Sequence, residues 1–206
     1  MRIIEPSFEF MEDIDGKTIL RRIERAGRVC YKSEDRISGE SARKFIASII
    51  SNGHESVLEH EKITVKITCD RGVSHEIVRH RIASYSQEST RYCNYAKDKF
   101  GNEITVIKPC FWSEDSNEYR AWKDAMAEAE KAYFKLIDMG ASPQEARSVL
   151  PNSLKTEIVI TMNIREWRHF FKLRIAERAH PQMREIVFKV LDGMRRELPE
   201  VFEDIL

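Results

Sequence analysis

The stretch Lys62-Ile63-Thr64-Val65-Lys66-Ile67-Thr68-Cys69 alternates without a break. Ile63, Val65, Ile67 and Cys69 fall on one side, and Lys62, Thr64, Lys66 and Thr68 on the other. A period of two in a segment rich in β-branched residues predicts a half-buried strand. Asp70 follows at once and can cap a short helix carrying Val73, Ile77 and Val78. That helix is expected to end at Arg79-His80-Arg81, so strand, cap, helix and cationic cluster come in direct succession.

Working outward, residues 155–162 alternate again, with Thr156, Ile158, Ile160 and Met162 on one face. A third strand is predicted at 103–108 through Ile104 and Val106, and it can pair with the first. Helical spacing of apolar residues marks 16–30 and 41–52, the latter with Ser41 as its cap. A long helix rich in Ala, Glu and Lys is predicted from Ser113 to Met139, closed by Gly140. Ser142-Pro143-Gln144-Glu145 then supplies a cap, a proline at the first helical position and an acid at the third. This short helix carries Arg147 and stops before Pro151. Asn163 can cap a helix that exposes Arg165, His169, Arg174 and Arg178 while Trp167, Phe170 and Phe171 supply apolar surface. A last helix covers 182–196. Strands and helices mix without a βαβ rhythm, so the class expected is α+β rather than doubly wound α/β. No repeat or Gly/Ser/Pro-rich linker interrupts residues 1–206, which are expected to form a single domain.

Composition excludes several function classes. Lys plus Arg and Asp plus Glu stand at 34 each, so the net charge is zero and general binding of nucleic acid is not expected. No apolar run approaches the ~20 residues that span a bilayer, so no membrane partner is expected. The four cysteines are scattered with no CxxC, and Met1-Arg2-Ile3-Ile4-Glu5 leads directly into charged sequence. Reduced thiols and a cytoplasmic location follow as expectations. Metal is not expected either. His54 and His60 lie six residues apart and His75 and His80 five apart. On a helix those offsets are about 240° and 140°, where a zinc-binding HExxH uses one face. None of the eight glycines forms a GxG, so neither a Walker loop nor a dinucleotide fingerprint is present.

What remains is the cluster Arg79-His80-Arg81, followed by a polar run through Ser84, Ser86, Gln87, Glu88, Ser89 and Thr90 to Arg91. Guanidinium forks match phosphate or carboxylate bidentately, and the neighbouring hydroxyls and amides suit oxyanions. Taken singly, each residue also has an ordinary explanation. Arg147 and Arg174 can be solvated helix arginines, Asn163 a cap, His169 a helix-face residue and Ser56 loop punctuation. Together they indicate an anion site.

The cluster with Ser89 resembles the signature of the flavin-dependent thymidylate synthases. The resemblance extends to Gly53-His54-Glu55-Ser56-Val57-Leu58-Glu59-His60 upstream and Arg147-Ser148-Val149-Leu150-Pro151 downstream. It continues through Asn163-Ile164-Arg165-Glu166-Trp167-Arg168-His169 to Leu173-Arg174, and so runs from about residue 50 to 180.

The resemblance implies a mixed sheet with surrounding helices and a homotetramer whose active sites combine residues from several chains. The activity implied is reductive methylation of dUMP to dTMP, with methylenetetrahydrofolate as carbon donor and FAD reduced by NADPH. Ser56, Arg79, His80, Arg81, Gln87, Asn163, Arg165 and His169 would hold FAD. Glu76, Arg79, Gln87, Glu88, Ser89, Arg91, Arg147 and Arg174 would hold the nucleotide. Arg174 would be catalytic, facing the uracil and favouring ionisation at N3. Glu76 stands where some family members carry Gln, and Ser86-Gln87 where others carry Asn-Glu. The competing reading is a nucleotide- or nucleic-acid-binding module in which the same arginines clamp phosphates without catalysis. Zero net charge and few aromatic residues in the cluster (Tyr85, Tyr92, Tyr95) weigh against strand binding.

Overall fold

The alternation that begins at Lys62 folds into a strand reaching Asp70, with Ile63, Val65, Ile67 and Cys69 all buried. The computed structural model describes residues 1–206. In chain order it begins with β1 (Arg2–Ile4), β2 (Ser7–Phe10), α1 (Gly16–Val29) and α2 (Ser41–Ser51). Then come β3 (Lys62–Asp70), α3 (Arg71–Ile77), β4 (Ser84–Gln87), β5 (Thr105–Ile107) and α4 (Asn117–Asp138). The chain closes with α5 (Pro143–Ala146), β6 (Lys155–Asn163), α6 (Ile164–Arg174), α7 (Pro181–Glu197) and α8 (Pro199–Phe202). Short 3₁₀ turns cover Glu34–Arg36, Glu55–His60, Asp98–Phe100 and Arg147–Val149. The class is α+β, a mixed architecture of sheets and surrounding helices with no Rossmann pattern.

The larger sheet has the order β2-β3-β6-β4, and β1 pairs parallel to β5 with Ile3 opposite Val106. The strand foreseen at 103–108 therefore does not pair with β3. Both edges of β3 are occupied, by β2 and β6, and β5 instead finds the N-terminal β1, which carried too few residues to be read as a strand. Two other expectations shift. Ser41 is the first residue of α2 rather than its cap, and its hydroxyl bonds Glu24 at 2.8 Å and accepts from Ser38 N at 2.8 Å. Helix α4 starts at Asn117, where Ser116 accepts from Tyr119 N.

The chain divides into two compact units. The first comprises Met1–Ser7, Ile67–Arg79 and Ser86–Val159, and the second Phe8–Lys66, His80–Tyr85 and Ile160–Leu206. The first unit's core gathers Tyr95, Ile104, Val106, Tyr119, Trp122, Met126, Tyr133, Ala146 and Leu154. Gly140 ends α4 at φ 92°, a left-handed conformation that glycine adopts without Cβ strain. The second unit packs α1, α2, α6, α7 and α8 around the buried aromatics Trp167, Phe170, Phe171 and Phe202. Trp167 stacks on Phe171 with centroids 5.6 Å apart, and its indole N–H donates to the Ile63 carbonyl at 3.0 Å. Each such burial contributes about 1.5–3 kcal/mol, so these rings fix where α6 lies within the unit. No helix is long and apolar enough to cross a membrane.

Candidate active site

Strand β6 runs straight into α6, and Asn163 serves both, its side chain accepting from Glu166 N at 2.8 Å. From this cap α6 carries Glu166, Phe170 and Arg174 at i, i+4 and i+8, one stripe of the helix. The imidazole of His80 sits on that stripe. It lies edge-on to the Phe170 ring, with centroids 4.8 Å apart. Its Nδ1 faces Glu166 Oε1 at 3.4 Å, and its Nε2 accepts from Arg174 Nε at 3.0 Å. Tyr85 clamps the same residue from the backbone side, its hydroxyl donating to the His80 carbonyl at 2.5 Å. His169 approaches with its ring 6.0 Å away.

The electrostatics follow from burial. Burial, with Arg174 and His169 beside it, lowers the His80 pKa to about 4, so the ring is neutral at pH 7. Burial raises the pKa of Glu166 against the opposing influence of His169. Burial and the Glu166 carboxylate push the Tyr85 phenol up to about 12. His80, Glu166 and His169 bring their ligand-type atoms within 4.8 Å of one another, a grouping that histidine spacing along the chain could not foresee. A cation is poorly served there, because Nε2 of His80 already accepts from a guanidinium and Nδ1 faces Glu166.

Two cavities open at the first turns of α6. One of about 490 Å³ is lined by Glu55, Glu59, Ile82, Asn163, Arg165, Glu166, His169 and Lys172. The other, about 340 Å³, includes His54, Ser56, Phe45 and Tyr31, and shares Glu55 and Arg165 with the first. Arg165 pairs with Glu59 at 2.5 Å. The second unit thus assembles Ser56, His80, Asn163, Arg165, His169 and Arg174 near one helix. Arg81 is exposed. The helix ends at Arg174, which is half-buried rather than fully exposed, and Arg178 lies beyond it.

The nucleotide-type residues other than Arg174 belong to the first unit, as does Arg79, which is exposed. Ser89 turns the chain, its carbonyl accepting from Tyr92 N and Cys93 N at 3.1 and 3.0 Å and its hydroxyl from Arg91 N at 3.3 Å. Arg147 reaches Thr90 Oγ1 at 3.4 Å, which brings the expected arginine to this turn. Gln87 uses its amide on Ser74 and Thr156 at 2.9 and 3.2 Å. Glu88 receives Tyr95 Oη at 3.1 Å and Lys155 Nζ at 2.9 Å. Both residues thus hold their own unit together. Glu76 is partly buried on α3. Burial raises the pKa of the Cys93 thiol, with Glu88 adding to the effect, and burial does the same to Cys69 with Asp70 beside it. Neither is poised as a thiolate.

Sequence reasoning missed Glu166, Glu55 and Arg168. The four-residue spacing Glu166–Phe170–Arg174 was the available signal for the first. Arg168 is only 1% exposed and bonds Glu55, Asp204 and the Val201 carbonyl, where sequence offered only another helix arginine.

Comparison with known proteins connects this arrangement to a family. Residues 15–200 match the model of the thymidylate synthase complementing proteins. A flavin-dependent thymidylate synthase of Pyrococcus furiosus is 42% identical over 171 residues, covering 82% of this chain and 69% of that protein. One from Geobacter sulfurreducens is 38% identical over 186 residues, covering 87% and 78%. Among solved structures, a UMP/dUMP methylase PolB from Streptomyces cacaoi bound with 5-Br dUMP superposes with a TM-score of 0.78. That likeness covers 98% of this chain and 96% of the other at 22% identity, and it speaks to the fold.

Proposed function

The chain belongs to the thymidylate synthase complementing protein family, the flavin-dependent thymidylate synthases, and on that premise we propose that it methylates dUMP reductively to dTMP. It is a methyltransferase with FAD as cofactor. Methylenetetrahydrofolate supplies the carbon, and residues 1–206 act as one catalytic domain. The observation that carries this reading is α6 itself: it ends in a half-buried guanidinium held at Nε by a neutral histidine, and its earlier turns line cavities that include Ser56, Asn163, Arg165 and His169.

The residues present fit a flavin nucleotide. Arg165 and Lys172 are cations on one cavity wall and suit its diphosphate, while Ser56, Asn163 and His169 add hydrogen-bonding groups. Arg79, Arg81 and Gln87 complete that set, with His80 behind it, its two ring nitrogens engaged by Glu166 and Arg174. When bound, FAD supplies hydride transfer with electrons drawn from NADPH. The chain's own residues do the rest. Ser89, Arg91 and Arg147, grouped at one turn, hold the nucleotide phosphate, with Arg79, Glu76, Gln87 and Glu88 around it. Arg174 faces the uracil and stabilises negative charge developing at N3. A fixed guanidinium in a partly dry site is worth far more to that anion than in water. Arg174 keeps its proton at any working pH, so it stabilises charge and does not act as a base.

We assign a homotetramer with shared sites and a cytoplasmic location. Tyr31, Ile82 and Tyr92 are 71%, 66% and 77% exposed beside the proposed ligand residues, surface that a second subunit would cover. Cys30, Cys69 and Cys93 are free thiols, as a reducing compartment keeps them. The test is the absorbance spectrum of the purified protein, followed by turnover of dUMP with methylenetetrahydrofolate and NADPH. A flavin spectrum with dTMP formed supports the reading. A protein that neither carries nor takes up FAD overturns it.

A further inference from the structure

We propose that Glu166 is a positioning residue which, through the imidazole of His80, aims the Arg174 guanidinium. The inference rests on the reading of Arg174 as the group that faces the pyrimidine.

The argument is one of donors and acceptors. Arg174 Nε carries a hydrogen and no lone pair, so the His80 nitrogen 3.0 Å away must accept. A neutral imidazole that accepts at Nε2 carries its proton on Nδ1. That N–H then points at Glu166 Oε1, 3.4 Å away, which receives it as a carboxylate. Burial keeps the ring neutral, so both bonds stay in this sense through the neutral pH range. Protonating His80 would put a second hydrogen between Nε2 and the guanidinium and break the link.

The same helix fixes both ends of the chain of bonds. Glu166 and Arg174 are two turns apart on α6, and the Phe170 ring supports the imidazole between them. The carboxylate is itself held early in the helix, where Asn163 caps the Glu166 N–H. Tyr85 fixes the His80 backbone from the other side. The ring therefore cannot rotate without losing a partner at each nitrogen. Because the bond to His80 uses Nε, the guanidinium plane is set while its two Nη groups lie beyond that bond. This is the logic by which an outer carboxylate fixes the tautomer of a histidine that orients a third group.

The group facing His80 from β4 is Tyr85, and those from α6 are Glu166, His169 and Arg174. Glu166 is the one among them that can accept from Nδ1 without competing for Arg174.

The test reads the tautomer directly. The full chain is labelled with ¹⁵N-histidine, and His80 is assigned from the signal lost in His80→Asn. The nitrogen shifts are then recorded at pH 7 without ligands. A neutral ring with Nδ1 protonated and Nε2 bare is expected. An imidazolium, or the opposite tautomer, overturns the proposal whether or not the enzyme methylates dUMP.

In kinetics, Glu166→Leu is expected to lower kcat per bound flavin on the order of 10- to 100-fold, the scale of a misaimed catalytic group, with KM for dUMP unchanged. Glu166→Gln, whose amide oxygen can still accept from Nδ1–H, should keep kcat within about twofold and preserve the tautomer. Turnover of Glu166→Leu at the wild-type rate overturns the proposal. If Glu166→Leu does not fold, a Glu166→Gln protein that has lost the Nδ1–H tautomer yet keeps full kcat overturns it as well. A wild-type protein with the expected tautomer but no flavin and no dTMP formation would instead overturn the functional reading beneath it.

Discussion

Arg168 Nη2 and Asp204 Oδ2 stand 2.7 Å apart, although Arg168 is only 1% exposed and Asp204 follows the last helix, α8. The guanidinium also donates to Glu55, the residue before Ser56, at 3.1 Å from Nη2. One buried cation therefore ties α6, the turn that carries Ser56 and the C-terminal residues into a single network. A guanidinium in this position gives little net stability against an apolar replacement, but its loss leaves carboxylates without their partner.

Arg168→Ala is accordingly expected to destabilise the protein by about 3–5 kcal/mol, whereas Arg168→Met, which refills the volume, should cost distinctly less. Urea denaturation followed by circular dichroism measures both. Equal losses for the two variants would show that the lost charge pairing and not packing dominates here.

Acid should weaken the fold in two steps. The His80 pKa falls from 6.5 to about 4 on folding, so the unfolded chain binds more protons between those values. Stability is full above pH 6.5 and declines as pH falls toward 4. Hydrogen bonding from Arg168 lowers the Asp204 pKa below 3.8, so its contribution is present above that value and is lost on further acidification. Thermal melts from pH 8 to 4 check the first step, and His80→Phe should flatten the slope between pH 6.5 and 4.

Arg174→Ala should abolish dTMP formation while flavin absorbance persists, a loss on the order of 10²-fold or more if the guanidinium stabilises the developing anion. Parallel flavin spectra and product assays decide it. Turnover near the wild-type rate would remove Arg174 from the catalytic role.

Gly193→Ala is expected to destabilise α7 despite alanine's better helix propensity. A Cβ at this position would lie 2.6 Å from the Phe8 ring and 3.3 Å from that of Phe10. Overpacking of this kind costs about 1–3 kcal/mol, against a gain of about 1 kcal/mol from propensity. A melting temperature at or above that of the wild type would contradict the expectation.

The elements legible in the sequence were those whose pattern is local. β3 and β6 announced themselves by alternation, and α3, α5 and α6 by the caps at Asp70, Ser142 and Asn163, all of which form as read. What escaped is pairwise and distant. The β1–β5 pairing joins residues a hundred positions apart, and β1 is too short to alternate visibly. The site divides in the same way. His80, Arg165, His169 and Arg174 were nameable because the resemblance quotes them in motifs. Glu166 stood inside a quoted motif without a role, since nothing local says that its carboxylate meets a ring from eighty-six positions earlier. Arg168 reads as a surface arginine until the Asp204 and Glu55 side chains that neutralise it are known.

Asp70 and Asn163 each end a strand and cap the helix that starts at the very next residue. No connecting loop exists at either junction to absorb a change in length. A single residue inserted after Asn163 would turn every side chain of α6 by about 100° and carry Glu166, Phe170 and Arg174 away from His80 together. An insertion at either strand–helix joint is therefore expected to dismantle the stripe, whereas exchange of side chains in place leaves the helix phase untouched.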